Sequence, residues 1–528
     1  MNALARQRRV LFLIADTGAG HRSAANAIHH AMRQLTESPS HAPARAPVPT
    51  GPDAPRRAAN IPESDAWEAL IVDAFVASSR FPLRNGVFLY GPAIKHSPRL
   101  YGQFFRMTNT SSRFRAAWRL ARPFWYQGLM RLFLETQPDV IVSVHPLLNH
   151  NTLQILHDLD VKVPFVTVVT DLVSVHCAWF ARGVTACAVP TEAARDFAVA
   201  AGVPARRVHL LGMPIDPKFA QPPAASREAL RAELGLDPHL PTVLLVGGGE
   251  GAIGLAESAL ALGHSNLAIQ MIVVTGRNQQ LFAQLQRERT GFRVPAQILG
   301  FVHNMPDLMH AADVIVTKAG PGTITEAMAC GLPIILTGAV PGQEEGNLSW
   351  IVDNDLGVLA RSPGAVVAAL QDMLSPESGR LQQLRANVQR ESRPEAAFGI
   401  ARLILSYLPA VDSLSPWQRV RRGATARRYH RRSAGSVRTP SGRRQRRPTI
   451  PLNVEEPRRT RAALSGLSLR RIRRRADGRP RRIPGLANLR GARALLLKGT
   501  NLGKIQLRRP SSGRRRHDAG TAFGRSSG

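Results

Sequence analysis

Acidic residues are scarce in this chain. Its 37 Asp and Glu stand against 70 Lys and Arg, a formal net charge of +33. The imbalance is local: Asp412 to Gly528 holds 33 basic and 5 acidic residues, so +28 of the +33 lies there and +5 is left for the preceding 411 residues. A sequence-reading nucleic-acid binder is therefore not expected in the body, although a tail of this composition meets anionic lipid and nucleic acid through the same electrostatics. Cysteine is also sparse. Cys177, Cys187 and Cys330 have neither metal-ligand nor C-x-x-C spacing, which excludes a disulfide framework and points to idle thiols. No apolar run approaches the ~18 residues of a membrane span. Arg6, Arg8 and Arg9 before VLFLIA imitate a signal peptide, but the apolar piece is short and runs into Asp16 without a small-residue cleavage site. The expectation is a first β-strand in a cytoplasmic protein, peripheral on the inner face of the cell membrane.

What the chain does have is a succession of buried strands, each of two units opening with one that runs into a glycine loop. Arg9–Ala15 reads as a buried strand, Asp16–Gly20 as a glycine loop and His21–Leu35 as a helix. Further strands are expected at Ala69–Phe75, Val140–Val144, Phe165–Val169 and Cys187–Val189. A linker marked by Pro214, Pro217, Pro222 and Pro223 leads to a second unit with strands at Thr242–Val246, Gln270–Val274, Ala296–Leu299, Val314–Val316 and Ile334–Leu336. The predicted fold class is α/β with two Rossmann-like domains, 1–212 and 213–411, and an interdomain cleft. A proline-rich insertion at 38–63 is expected to be surface loop. Residues 412–528, rich in Arg, Ser, Gly and Pro without periodicity, are expected to be a disordered basic tail. Three readings stay open for that tail: membrane adhesion, nucleic-acid binding, or a frame-shifted stretch of coding sequence.

Two places carry chemistry. Val314–Val316 is followed by Gly320-Pro321-Gly322-Thr323 and a helical segment from Ile324. A glycine turn feeding a helix leaves backbone N–H groups and the positive dipole end aimed at one spot, a seat for phosphate. The polar loop that follows contains Gln343, Glu344 and Asn347, able to grip sugar hydroxyls, which suggests a nucleotide-sugar donor site. In the first unit His21 opens a helix after Gly18-Ala19-Gly20, where an imidazole suits a general base or simply bonds its own turn. Asp16 either orients His21 or caps the loop. Thr323-x-x-Glu326 has capping-box spacing. Gly249-x-Gly251-x-x-Gly254 has the form of a dinucleotide fingerprint, yet no acid stands at the next strand's end, so a loop passing donor phosphates or the acceptor is preferred.

The segments DTGAGHRSAANAI, HSPRLYGQFFRMTN, TDLVSVHCAWF, LLGMPIDPKF and TKAGPGTITEAMACGLPIIL with PGQEEGN, in that order between Arg9 and Leu408, resemble the monogalactosyldiacylglycerol synthase and processive diacylglycerol glucosyltransferase family. The resemblance, which places the chain in glycosyltransferase family 28, omits the proline-rich insertion and the tail. It implies a GT-B fold with an N-terminal acceptor domain and a C-terminal UDP-sugar domain, and an inverting enzyme moving galactose or glucose from a UDP-hexose to diacylglycerol. It implies no cofactor and no required metal. It also implies His21 as base, Glu326 on the ribose, Phe301 and Val302 near the uracil, Gly322 and Thr323 at the diphosphate beside Gly320, and Gln343, Glu344 and Asn347 at the sugar, with Gly249 among the expected donor-binding residues. Gly18, Gly20, His96, Tyr101, Arg106 and Trp125 are expected toward the acceptor and membrane. The aromatic and arginine-rich stretch Phe81–Gly128 would lie on anionic membrane lipids, with an ordinary core helix as the alternative. The rival enzyme reading is an N-acetylglucosamine transferase acting on a polyprenyl-linked acceptor. The rival of another class is a basic nucleic-acid-binding protein; no specific nucleic acid is expected as a partner.

Overall fold

The computed structural model describes residues 7–16, 20–37, 67–80, 97–247, 254–410 and 415–417. Gly18, His96, Gly249 and the proline-rich insertion lie outside them, as do residues 418–528 of the expected tail.

The β-branched and leucine-rich runs become two all-parallel six-stranded sheets. The first has the order β2-β1-β3-β4-β5-β6, with β1 at Arg8–Ile14, β2 at Trp67–Asp73, β3 at Val140–Ser143, β4 at Phe165–Val168, β5 at Ala186–Val189 and β6 at Val208–Leu210. The second has the order β12-β11-β10-β7-β8-β9, with β7 at Thr242–Val246, β8 at Gln270–Val274, β9 at Ala296–Leu299, β10 at Val314–Thr317, β11 at Ile334–Leu336 and β12 at Gly357–Leu359. Strands such as Val10–Ile14 and Val243–Leu245 are buried without alternation because helices cover both sheet faces. The short β6 and β12 are absent from the sequence reading: three residues at a sheet edge carry too little pattern. This is the GT-B architecture, two Rossmann-like domains with ligand-binding strand ends.

Strand order fixes where chemistry happens. In doubly wound sheets the crevice opens where the order reverses, outside the carboxyl ends of the strands. In the first sheet that point lies between β1 and β3, so the segments after them bring Asp16, His21 and His145 together. In the second it lies between β7 and β10, whose exits carry Gly247 and Gly320.

The contiguous division at 212 and 411 needs correcting. The last helix of the body, Ala396–Ser406, does not stay with the second sheet. Its Phe398, Ile400, Leu403 and Ile404 join Val10, Phe12, Ile28 and Met32 in one core layer of the first domain. Trp417, placed in the tail by its sequence position, is 1% exposed in the other core layer of that domain, and its indole N–H donates to the Pro138 carbonyl at 2.7 Å. The chain thus returns to its first domain before the basic segment begins.

Candidate functional site

The helix Gly20–Glu37 starts directly at the site. Its inner face is small and apolar (Ala24, Ala25, Ile28, Met32), which lets it lie close on β1 and leaves His21 at the first turn. The His21 ring stands edge-on to His145, 4.8 Å between centroids, and 6.3 Å from Trp179. Its Nδ1 lies 3.2 Å from the Thr170 hydroxyl. Burial outweighs the Val144 carbonyl and the Asp16 charge and lowers its pKa to about 4, so the imidazole is neutral in ordinary buffers.

Asp16 does not orient His21 through a hydrogen bond. Its carboxylate takes both arms of Arg22, Nε at 2.9 Å and Nη2 at 2.7 Å, and its backbone N–H donates to Asp73. The reason is helical spacing: Arg22 sits one position beyond His21 on the solvent side and offers a bidentate partner.

Residues after β4 supply what the sequence reading missed. Asp171 is 7% exposed; Oδ2 accepts the Trp179 indole N–H at 2.7 Å and Oδ1 faces the Gln343 amide at 3.5 Å. Burial, with Glu344 nearby, pushes the carboxyl up to about 6 despite those bonds. Ser174 Oγ accepts the Gly346 N–H at 2.9 Å, and a Cβ on Gly346 would strike that oxygen at 2.6 Å. The signal was present in TDLVSVHCAWF, but neither periodicity nor spacing singles out one acid there. His145 had no signal beyond following a strand.

The second domain's helix runs Pro321–Ala329, not from Ile324, with Gly320 as N-cap and no side-chain cap. The Thr323-x-x-Glu326 capping box therefore does not form, because proline at N1 moves the start three residues earlier and puts Glu326 at the sixth position. First-turn amides of Gly322 and Thr323 have no intrahelical acceptor and face the phosphate seat. Glu326 is half-buried near Asp216 and Lys218; desolvation, against the pull of Lys218, raises its pKa to about 7.

Two of the three loop residues expected on the donor sugar are occupied otherwise. Glu344 Oε1 pairs with Lys318 Nζ at 2.5 Å and Oε2 accepts the Val340 N–H at 2.9 Å. Asn347 donates to the Ala319 carbonyl at 2.9 Å. Both therefore brace the turn that ends in Gly320, and both are buried there. Gln343 alone reaches across the domain junction, accepting the Tyr101 hydroxyl at 2.9 Å. Phe301 and Val302 follow β9 rather than belong to it. Phe301 is exposed, stacked under Arg277 at 5.0 Å and edge-on to His303 at 5.1 Å, while Val302 packs on the second domain's core.

The helix Pro98–Thr108 brings a further correction. Tyr101 and Arg106, expected toward acceptor and membrane, face the donor loop: Arg106 pairs with Glu345 at 3.0 Å, and Gly102 lies so near Pro341 that a Cβ would approach to 2.7 Å. Trp125 is 5% exposed, packed on Phe75 in the core. The apolar residues left outside are Leu100, Phe104 and Met107 on one stripe, with Leu120 on the next helix. Gly20 begins the opening helix with nothing near its Cβ position. Among the described residues, no helix is long and apolar enough to cross a membrane, and no group of three His, Cys, Asp or Glu could hold a metal ion.

Histidine burial around the site makes stability pH-dependent. His21, His150 and His176 have pKa values lowered to about 4 and His145 lies well below its ordinary value, each chiefly through desolvation. The unfolded chain takes up these protons near 6.5, the folded chain only near 4, so this stability is full above 6.5 and drains as pH falls. Asp171 and Glu326, raised to about 6 and 7, work in the opposite sense but are fewer. The melting temperature is expected to drop between pH 7 and pH 5 in scanning calorimetry; a rise would contradict this balance.

A family model described as monogalactosyldiacylglycerol (MGDG) synthase matches residues 52–215, and one for the glycosyltransferase family 28 C-terminal domain matches residues 242–347. The chain is 35% identical over 408 residues to monogalactosyldiacylglycerol synthase 1, chloroplastic, of Arabidopsis thaliana, covering 75% of this chain and 70% of that one. It is 34% identical over 402 residues to the chloroplastic monogalactosyldiacylglycerol synthase of Spinacia oleracea, covering 74% and 71%. Among solved structures, the MurG of Acinetobacter baumannii matches with a TM-score of 0.46 at 16% identity, over 75% of this chain and 99% of that one. The expected cytoplasmic location on the inner face of the cell membrane is overturned by these relatives, which are named as chloroplastic proteins.

Proposed function

The chain belongs to the monogalactosyldiacylglycerol synthase family and is a glycosyltransferase of galactolipid synthesis, and from that premise we propose that it transfers a hexose from a UDP-sugar to diacylglycerol at a membrane surface. The observation that carries the reading is the meeting of the two strand-end regions. Thr170 touches His21 while its neighbour Asp171 touches Gln343 of the loop beside the phosphate seat. The base and the donor loop therefore share one junction.

In this mechanism neutral His21 takes the proton of the acceptor hydroxyl as that oxygen attacks the anomeric carbon. The carbon–oxygen bond to UDP breaks on the opposite side, which inverts the configuration. Charge developing on the departing diphosphate meets the Gly322 and Thr323 amides, the dipole of Pro321–Ala329 and the Lys318 ammonium. Glu326 bonds the ribose hydroxyls and Phe301 borders the uracil. The reaction is written without a metal or cofactor.

The acceptor is a lipid, so the enzyme must meet a bilayer. Leu100, Phe104 and Met107 recur at helical spacing and stand outside, with Phe104 59% and Leu120 79% exposed. The stretch Ser97–Trp125 contains no acid, and Arg99, Arg113, Arg115 and Arg119 are exposed around these side chains. Apolar side chains ringed by arginine fit the interface of an anionic bilayer. Burying a large apolar side chain is worth about 1.5–3 kcal/mol, so the double variant Phe104→Ser, Leu120→Ser should float with phosphatidylglycerol vesicles at least ~10-fold less than wild type. Unchanged flotation would remove this surface. The function itself is tested by incubating the full chain with UDP-galactose or UDP-glucose and diacylglycerol in anionic vesicles. A chromatographed glycolipid is expected with one donor; no product with either would overturn the proposal.

A further inference from the structure

Asp171 is unusual among the buried acids of this chain's described residues. Glu344 has Lys318, and Asp313 has Arg227, Arg231 and Arg385. Among the described residues, no Lys or Arg pairs with Asp171; its bonds come from an indole and an amide, both neutral. A carboxylate held this way costs more than a neutral side chain of the same shape, so its two acceptor oxygens need a reason.

The direction of the hydrogen bonds supplies one. The Tyr101 hydroxyl donates to Gln343 Oε1, the Gln343 amide N–H turns to Asp171 Oδ1, and the Trp179 indole N–H donates to Oδ2. The relay needs a group at position 171 that accepts on both sides. An asparagine would set its own N–H₂ against one of the two donors. Trp179 is itself fixed, since its carbonyl accepts from the Asn149 amide at 2.9 Å, and its ring stands beside His21. Asp171 thus joins a rigid part of the first domain, carrying the base, to Gln343, a donor-loop side chain that crosses the junction well inside the exposed Arg106–Glu345 pair.

We infer that Asp171 is a positioning residue for hexose transfer: by holding Gln343 from the opposite domain, it sets the donor loop, and with it the sugar, relative to His21. The inference rests on the donor-loop reading above. It predicts that Asp171→Asn raises the KM for the UDP-hexose about tenfold and lowers kcat by a similar factor. Because a buried substitution can act through folding, the decisive variant is the reciprocal exchange Asp171→Asn with Gln343→Glu. There the new amide in the first domain donates to the new carboxylate in the donor loop. The amide's oxygen still accepts from Trp179, and the carboxylate still accepts from Tyr101. The relay is complementary again.

The experiment measures donor KM, kcat and, by calorimetry, the affinities for UDP-hexose and UDP in wild type, both single variants and the exchange. Recovery of most of the lost kcat/KM in the exchange variant, with UDP affinity alike in all four, is the expected result. An exchange variant no better than Asp171→Asn overturns the inference, as does loss of UDP affinity in step with UDP-hexose affinity. So does loss of kcat at unchanged donor KM, which would make Asp171 a reacting group. If wild type itself transfers no hexose, the functional proposal fails, and calorimetry still decides whether Asp171 and Gln343 act together on the sugar-bearing ligand.

Discussion

His21→Ala is expected to lower the rate of hexose transfer by roughly 10²–10⁴-fold, the usual worth of a positioned general base, while UDP binds with unchanged affinity. The imidazole stands across the junction from the phosphate seat, among His145, Trp179 and Thr170 of its own domain, so the nucleotide should not register its loss. What disappears is a neutral ring held in one orientation. Packing against His145 fixes its plane, and the Thr170 hydroxyl at Nδ1 together with the Val144 carbonyl orients the ring. Burial keeps the ring neutral down to about pH 4, so the base form is present wherever the enzyme is folded. His145, 4.8 Å away, remains in the variant. It is fully buried among Phe75 and the strand ends and offers no route to a lipid hydroxyl. Initial rates in vesicles and UDP calorimetry check both halves. A variant that turns over normally would remove His21 from the chemistry, and one that loses UDP as well would move it into the donor site.

Why the scaffold could be read from sequence and the site only in part has a physical basis. Parallel strands covered on both faces are continuous apolar runs, so Val10–Ile14 or Met271–Val274 declare themselves locally. Glycine at strand exits does the same for the phosphate seat, because a sharp turn into a helix has few alternatives. Pairings across the domain junction leave no local trace. That Glu344 would face Lys318 while Gln343 faces Tyr101 depends on which side of one short loop meets the other domain. Neighbouring polar residues with equal hydrophilicity carry no record of it. The aromatic stretch around Tyr101 misled for a related reason. Its composition correctly suggested an unusual surface, but the helix has two faces, one on the donor loop and one outside, and composition does not separate them. The return of Ala396–Ser406 to the first domain escaped notice because an apolar helix, buried at nine of its eleven residues, records that it is buried, not against which sheet.

The Lys318–Glu344 pair gives the largest expected effect on stability. Both side chains are largely buried, the nitrogen and oxygen are 2.5 Å apart, and Glu344 also holds the Val340 amide. Removing one partner from such a pair leaves an uncompensated charge in a poorly hydrated place, at a cost of about 3–5 kcal/mol. For a domain of this size Glu344→Ala should lower the melting temperature by on the order of 10 °C, with little dependence on salt because the pair is sheltered. Stability and function separate in the double variant Lys318→Met, Glu344→Met. Two apolar side chains of similar volume fill the space without burying a charge, so its melting temperature should recover several degrees over Glu344→Ala, short of wild type because the Val340 N–H loses its acceptor. Hexose transfer should not return. The ammonium lies beside Gly320, where an added Cβ would sit 3.2 Å from Nζ, at the turn proposed to seat the diphosphate. A stable double variant with full activity would show that Lys318 serves only to hold the loop. A Glu344→Ala protein that melts like wild type would show that the loop does not depend on the pair at all.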